Sequence, residues 1–91
     1  MAKGSWVFYY IQGQLGESIV HPNAFPIPKP SDSIVLQDII DHFPLQPKGS
    51  FHFRFQVALG KKYAFMDLMN TNDPAPTFNG RIVMKVLRLG E

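Results

Sequence analysis

The period of the hydrophobic pattern changes along the chain and divides it into elements. Trp6, Val7, Phe8, Tyr9, Tyr10 and Ile11 are β-branched or aromatic without interruption, the composition of a strand covered on both faces. Residues 12–16 hold two glycines and read as a turn. Ser18, Ile19, Val20 and His21 resume as a second strand, antiparallel to the first. Prolines 22, 26, 28 and 30 follow. The last three share one parity, so in an extended chain their missing N–H groups fall on one edge. Such a segment can only be an edge strand or an extended loop.

Over residues 31–43 the period becomes helical: Leu36, Ile39, Ile40 and Phe43 recur at i, i+3, i+4 and i+7. Ser31, Asp32 and Ser33 offer N-cap oxygens and negative charge at its start. Pro44 stops it, because proline disfavours the helical conformation in the residue before it. Residues 47–49 form a loop. Phe51, Phe53, Phe55 and Val57 then alternate with His52, Arg54 and Gln56 at a period of two. Leu59, Gly60, Lys61 and Lys62 connect to a partner strand over 63–69. In that strand Ala64, Met66 and Leu68 are expected inward and Tyr63, Phe65 and Asp67 outward. Residues 70–76 are loop, and 81–89 form the last strand. The order is ββαβββ, and a mixed sheet with one helix across it, an α+β fold, buries these faces economically.

Composition narrows the function classes. At 91 residues the chain is one domain, residues 1–91. The absence of cysteine excludes a disulfide scaffold, a thiolate metal site and a cysteine nucleophile. No apolar stretch is long enough to span a bilayer. The N-terminus has no signal-peptide pattern, so a cytoplasmic protein is expected. Residues 1–50 carry a net charge of −1 and residues 51–91 a net of +3, without the dense basic stripe of a nucleic-acid binder.

No reaction chemistry is specified. His21, His42 and His52 lie in separate elements without metal-ligand spacing, and neither a metal nor a cofactor is implied. Asp38 and Asp41 fall outside the apolar stripe and read as a solvated helix face. Residues 13–16 lack the spacing and lysine of a phosphate loop, and no serine sits in a GxSxG elbow. Phe51, His52, Phe53, Arg54 and Phe55 could form a base-stacking platform. The helix stripe needs an apolar partner, however, so these phenylalanines are expected in the core, with His52, Arg54 and Gln56 facing water.

The run Pro76, Thr77, Phe78, Asn79, Gly80, Arg81, Ile82 and Val83 resembles the close of a DIX domain, most of all in the Dishevelled branch. Gly49 to Phe55 is similar to that family's aromatic third strand, Leu36 to Ile39 to its helix start, and His21 to Pro28 to its second strand. The resemblance covers about residues 5–89. It implies a ubiquitin-like ββαβββ fold and head-to-tail self-association, the second strand of one molecule pairing with the fourth of the next. The chain would then be a non-enzymatic scaffold module for Wnt-type signalling or cell-polarity assemblies. Its partners would be itself and other DIX domains, with no nucleic acid. On this basis Asn23, Ala24 and Phe25 are expected at one contact edge, and Lys61, Lys62, Tyr63, Phe65 and Asp67 at the other. Phe78, Asn79, Gly80 and Arg81 form a structural turn, with φ > 0 at Gly80. The alternatives are a monomeric ubiquitin-like binding module, and a single-strand nucleic-acid binder using the His52 and Arg54 face.

Overall fold

The computed structural model describes residues 4–12, 23–45 and 50–89. Its elements are β1 (Ser5–Ile11), β2 (Asn23–Ile27), a 3-10 turn (Ser31–Ser33), α1 (Leu36–His42), β3 (Phe51–Leu59), β4 (Lys62–Asp67) and β5 (Ile82–Arg88). The strands lie in the order β2-β1-β5-β3-β4. β1 and β5 are parallel at the centre, and every other pair is antiparallel. This is the expected α+β, ubiquitin-like mixed sheet. The strand expected at 18–21 and the loop at 47–49 lie outside the described residues, as does the turn at 12–16 beyond Gln12.

One face of the sheet carries the core. Val7, Tyr9 and Ile11 of β1, Phe25 and Ile27 of β2, Phe51, Phe53 and Phe55 of β3, and Ile82, Met84 and Val86 of β5 pack with Ile34, Ile39 and Phe43. Phe43, the last residue of the helix stripe, sits edge-on to Phe53 at 4.9 Å, Tyr9 and Phe51 at 5.2 Å, and Phe25 at 5.8 Å. Such pairs each stabilise by about 0.5–1.5 kcal/mol beyond the area they bury. The period-two alternation of β3 therefore reads correctly on its phenylalanine side, and those rings form no stacking platform.

The start of the helix differs from the expectation. Ser31, Asp32 and Ser33 form a separate 3-10 turn, and the N-cap is Val35, whose side chain has no acceptor. The orphan amides of the first turn are satisfied from elsewhere in the chain. The Leu36 N–H donates to Asp73 O at 3.0 Å, and the Gln37 N–H to Thr71 O at 2.9 Å. Asp38 completes the end by accepting from the Val35 N–H at 3.0 Å. It also pairs with Lys29 Nζ at 3.0 Å, so it is no freely solvated residue. Asp41 is exposed and accepts from Gln37 Nε2 at 2.8 Å. The helix ends at His42, before Pro44, as expected.

The sheet face away from the helix departs from simple alternation. Trp6 is 59% exposed, so β1 is not covered on both sides throughout. Tyr10, on the same face, is buried and has Lys85 Nζ 5.6 Å from its ring centre. Gln56 is buried rather than facing water: it stands opposite Phe65 in register, on a face crowded with long side chains. In β4, Met66 is exposed and Phe65 half-buried, because among the described residues no strand lies beyond β4 and the helix does not extend over it.

Candidate functional site

Among the described residues the five-stranded open sheet leaves two rows of unpaired backbone groups, on β2 and β4. Which residues present them follows from the hydrogen bonds further in. The Gln12 N–H donates to Val86 O at 2.9 Å, so even-numbered residues of β1 turn their backbone toward β5 and odd-numbered ones toward β2. Val7 and Ser5 pair with Phe25 and Ile27. Ala24 and Pro26 consequently point their backbone at open solvent, which is where proline is tolerated. On the other side the Leu89 N–H donates to Ser50 O at 2.7 Å, so even-numbered residues of β3 face β5 and odd-numbered ones β4. Leu59, Val57 and Phe55 pair with Lys62, Ala64 and Met66. Tyr63, Phe65 and Asp67 are left pointing outward.

Side chains follow the same parity. Ala24 and Pro26 lie opposite Phe8 and Trp6, while Tyr63, Phe65 and Asp67 lie opposite Ala58, Gln56 and Arg54. All belong to the helix-free face. The β3–β4 connection is a two-residue turn with Gly60 at φ 62°, the geometry of a type II′ hairpin. It sets Lys61, Lys62 and Tyr63 exposed at the tip of this edge.

Asp67 is the charged centre of the β4 edge. His52 Nε2 lies 3.0 Å from its Oδ1, and Arg54 Nε–H donates to the same oxygen at 3.2 Å. The His52 hydrogen bond holds this carboxyl below its ordinary range; burial opposes it, and the charges of His52 and Arg54 and the Arg54 hydrogen bond add to the lowering. Phe65 is not idle in the single molecule: Lys85 Nζ sits 4.5 Å from its ring centre and the Arg54 guanidinium 6.0 Å. Tyr63, half exposed, lies in T-shaped contact with Phe65 at 5.7 Å and Phe78 at 6.1 Å.

On the β2 edge the expected residues separate. Asn23 and Ala24 are exposed. Phe25 is buried, with its ring 5.7 Å from that of Tyr9; it belongs to the core and supports the edge from beneath. Trp6, which the sequence did not single out, stands beside Pro26 on the same face. Its signal would have been the strand order, which makes Pro26 its cross-strand neighbour. Among the described residues no group of three or more His, Cys, Asp or Glu is placed to hold a metal ion, and no helix is long and apolar enough to cross a membrane.

Phe78 and Arg81 form an isolated bridge around Asn79 and Gly80, both with positive φ, 54° and 81°. Positive φ at both central positions defines a type I′ turn, for which Asn-Gly is the favoured pair. Arg81 leaves this turn with its guanidinium 5.6 Å from the Phe8 ring centre.

The family model of the DIX domain matches residues 5–86. The chain belongs to the DIX domain family. That match is to the family as a whole and selects no branch of it. Among solved structures, a mutant of a SOSEKI polymerising domain shares 17% sequence identity at a TM-score of 0.72, over 98% of this chain and 100% of that one. At that identity the likeness establishes the fold. Among curated proteins no sequence matches this chain. In this DIX domain the run 76–83 that carried the resemblance is the type I′ turn and the start of β5.

Proposed function

We propose that this DIX domain assembles head to tail, β4 of one copy adding to β2 of the next. The observation that carries the reading is the match between its two free edges. With β1 and β5 parallel and the other pairs antiparallel, β2 and β4 run in opposite directions. A second copy displaced sideways therefore brings its β4 antiparallel to β2, where a ladder closes. Because the outward-facing residues of both edges carry their side chains on the helix-free face, the sheet continues without turning over.

Asn23 and Ala24 form the head, with Phe25 behind them; Lys61, Lys62, Tyr63, Phe65 and Asp67 form the tail. Lys61 and Lys62 add rim attraction to acidic groups near the head, about 0.2–1 kcal/mol each. A contact between two different patches repeats until rotation closes it, giving an open filament or a ring. Such an assembly multiplies weak sites and raises avidity, which suits a cytoplasmic scaffold for Wnt-type signalling or cell polarity, with other DIX domains as further partners. The Dishevelled-like run 76–83 and the fold shared with a SOSEKI polymerising domain support this reading. It is a binding role, not a catalytic one. Sedimentation velocity over a hundredfold dilution, about 1 to 100 μM by the ordinary strength of small interfaces, tests it. Large species that dissociate on dilution are expected, and Tyr63→Asp should be monomeric throughout. A native chain that stays monomeric at the highest concentration overturns assembly in favour of a monomeric binding module.

A further inference from the structure

We infer the register of the contact, and with it a residue not otherwise placed there: Pro26 faces Tyr63 of the second copy, Ala24 faces its Phe65, and Trp6 packs against the incoming tyrosine. The inference rests on the head-to-tail reading. Outward-facing residues must oppose one another, which leaves few alignments of these short strands. Opposing Ala24 to Tyr63 pushes Pro26 past β4 into the hairpin tip and closes only the two bonds of Ala24. Opposing Pro26 to Phe65 and Ala24 to Asp67 closes three, since Pro26 contributes a carbonyl but no N–H. That alignment also sets Lys62 opposite Lys29, and like charges directly opposite are destabilising.

Opposing Pro26 to Tyr63 and Ala24 to Phe65 likewise closes three bonds and avoids the lysine pair. Lys62 and Lys61 then stand opposite Ile27 and Pro28, and neither faces a cation directly. The same alignment lays Tyr63 over the flat Pro26 ring beside Trp6, its cross-strand neighbour. Tyr63 and Trp6 are 50% and 59% exposed in the single molecule, and this one row covers both. Aromatic rings left this open on a sheet edge are what a docking surface presents.

The chain has no cysteine and one tryptophan, so both probes are clean. Pro26→Cys and Tyr63→Cys chains, mixed under mild oxidation, are expected to give a covalent dimer, because opposed hydrogen-bonded residues have Cα atoms about 5.5 Å apart, within disulfide reach. Pro26→Cys with Phe65→Cys, and Ala24→Cys with Tyr63→Cys, are expected to cross-link far less. In the unsubstituted chain Trp6 emission should shift to the blue as concentration rises. Preferential cross-linking by either other pair overturns the register. So does a native chain that assembles in sedimentation while Trp6 emission stays unchanged; that result leaves assembly standing. A native chain that is monomeric by sedimentation overturns both.

Discussion

Pro26 and Tyr63 occupy opposite edges of one sheet, and each turns its backbone outward while placing its side chain on the helix-free face. The coincidence did not have to hold. Had the β3–β4 hairpin one residue more or fewer, Tyr63 would turn its backbone toward β3 and its side chain to the helix face, and Lys62 and Ala64 would take the outer row instead. The two-residue turn at Gly60 and Lys61 therefore does for the tail what the proline parity does for the head.

Tyr63→Asp should leave the single molecule intact. Tyr63 is half exposed, with T-shaped contacts to Phe65 and Phe78, and surface changes of this kind stay within about 0.5 kcal/mol. Phe65→Asp is the poorer probe, because it also removes the ring on which Lys85 and Arg54 rest. Denaturant melts of the two variants beside the parent should show an unchanged midpoint for the first and a lowered one for the second.

Phe53→Ala is expected to cost about 3–5 kcal/mol, the range for a buried aromatic. Its ring is closest to Phe43, the hub of the aromatic cluster, so the cavity opens between sheet and helix. For a domain of this size that loss takes most of the stability. A thermal melt at the parent's midpoint would show that Phe53 is not a core residue.

Gly80 offers a cleaner backbone test. Nothing lies within 4 Å of where its Cβ would be, yet its φ is 81°. Gly80→Val should cost about 1–3 kcal/mol through strain alone, while Gly80→Asn, which tolerates positive φ, recovers much of it. Equal melts for the two variants would contradict the turn assignment.

Asp38 contributes to the acid limb of stability. Its carboxyl is held below the ordinary 3.8 first by the Val35 N–H and then by Lys29. A depressed carboxylate contributes stability that is full above its unfolded-state value and lost as pH falls through the folded one. Asp38→Ala should thus destabilise by about 0.5–2 kcal/mol at neutral pH, as loss of a cap does. The gap to the parent should close at pH values below 3.8. Denaturant midpoints at neutral pH and at about pH 3 check the sign; a gap independent of pH contradicts it.

Much of this was legible in the residues. The parity of Pro26, Pro28 and Pro30 left an edge strand or an extended loop, and the segment is an edge strand through Ile27 and loop beyond it. The alternation of Phe51, Phe53 and Phe55 marked a core face, and Asn79-Gly80 marked a tight turn. What could not be read depends on elements distant in sequence. The helix amides at Leu36 and Gln37 are satisfied by carbonyls of Asp73 and Thr71, which no local cap signal encodes. The burial of Gln56 and the exposure of Trp6 depend on which strands flank theirs. Phe25 reads as an edge residue in the chain, yet its side chain faces the helix.

The central claim is that head and tail are different surfaces of one domain, so one defect at each end should be complementary. Ala24→Lys blocks the head by setting a cation against the Lys85 and Arg54 that rest on Phe65 of the second copy, and Tyr63→Asp blocks the tail by burying a carboxylate without a partner. Sedimentation velocity of the two variants, alone and mixed in equal amounts, tests this most directly. Each alone should be monomeric, and the mixture should form a dimer and nothing larger, since one sound head meets one sound tail. A mixture that remains monomeric, or a single variant that still builds long species, contradicts head-to-tail assembly through β2 and β4.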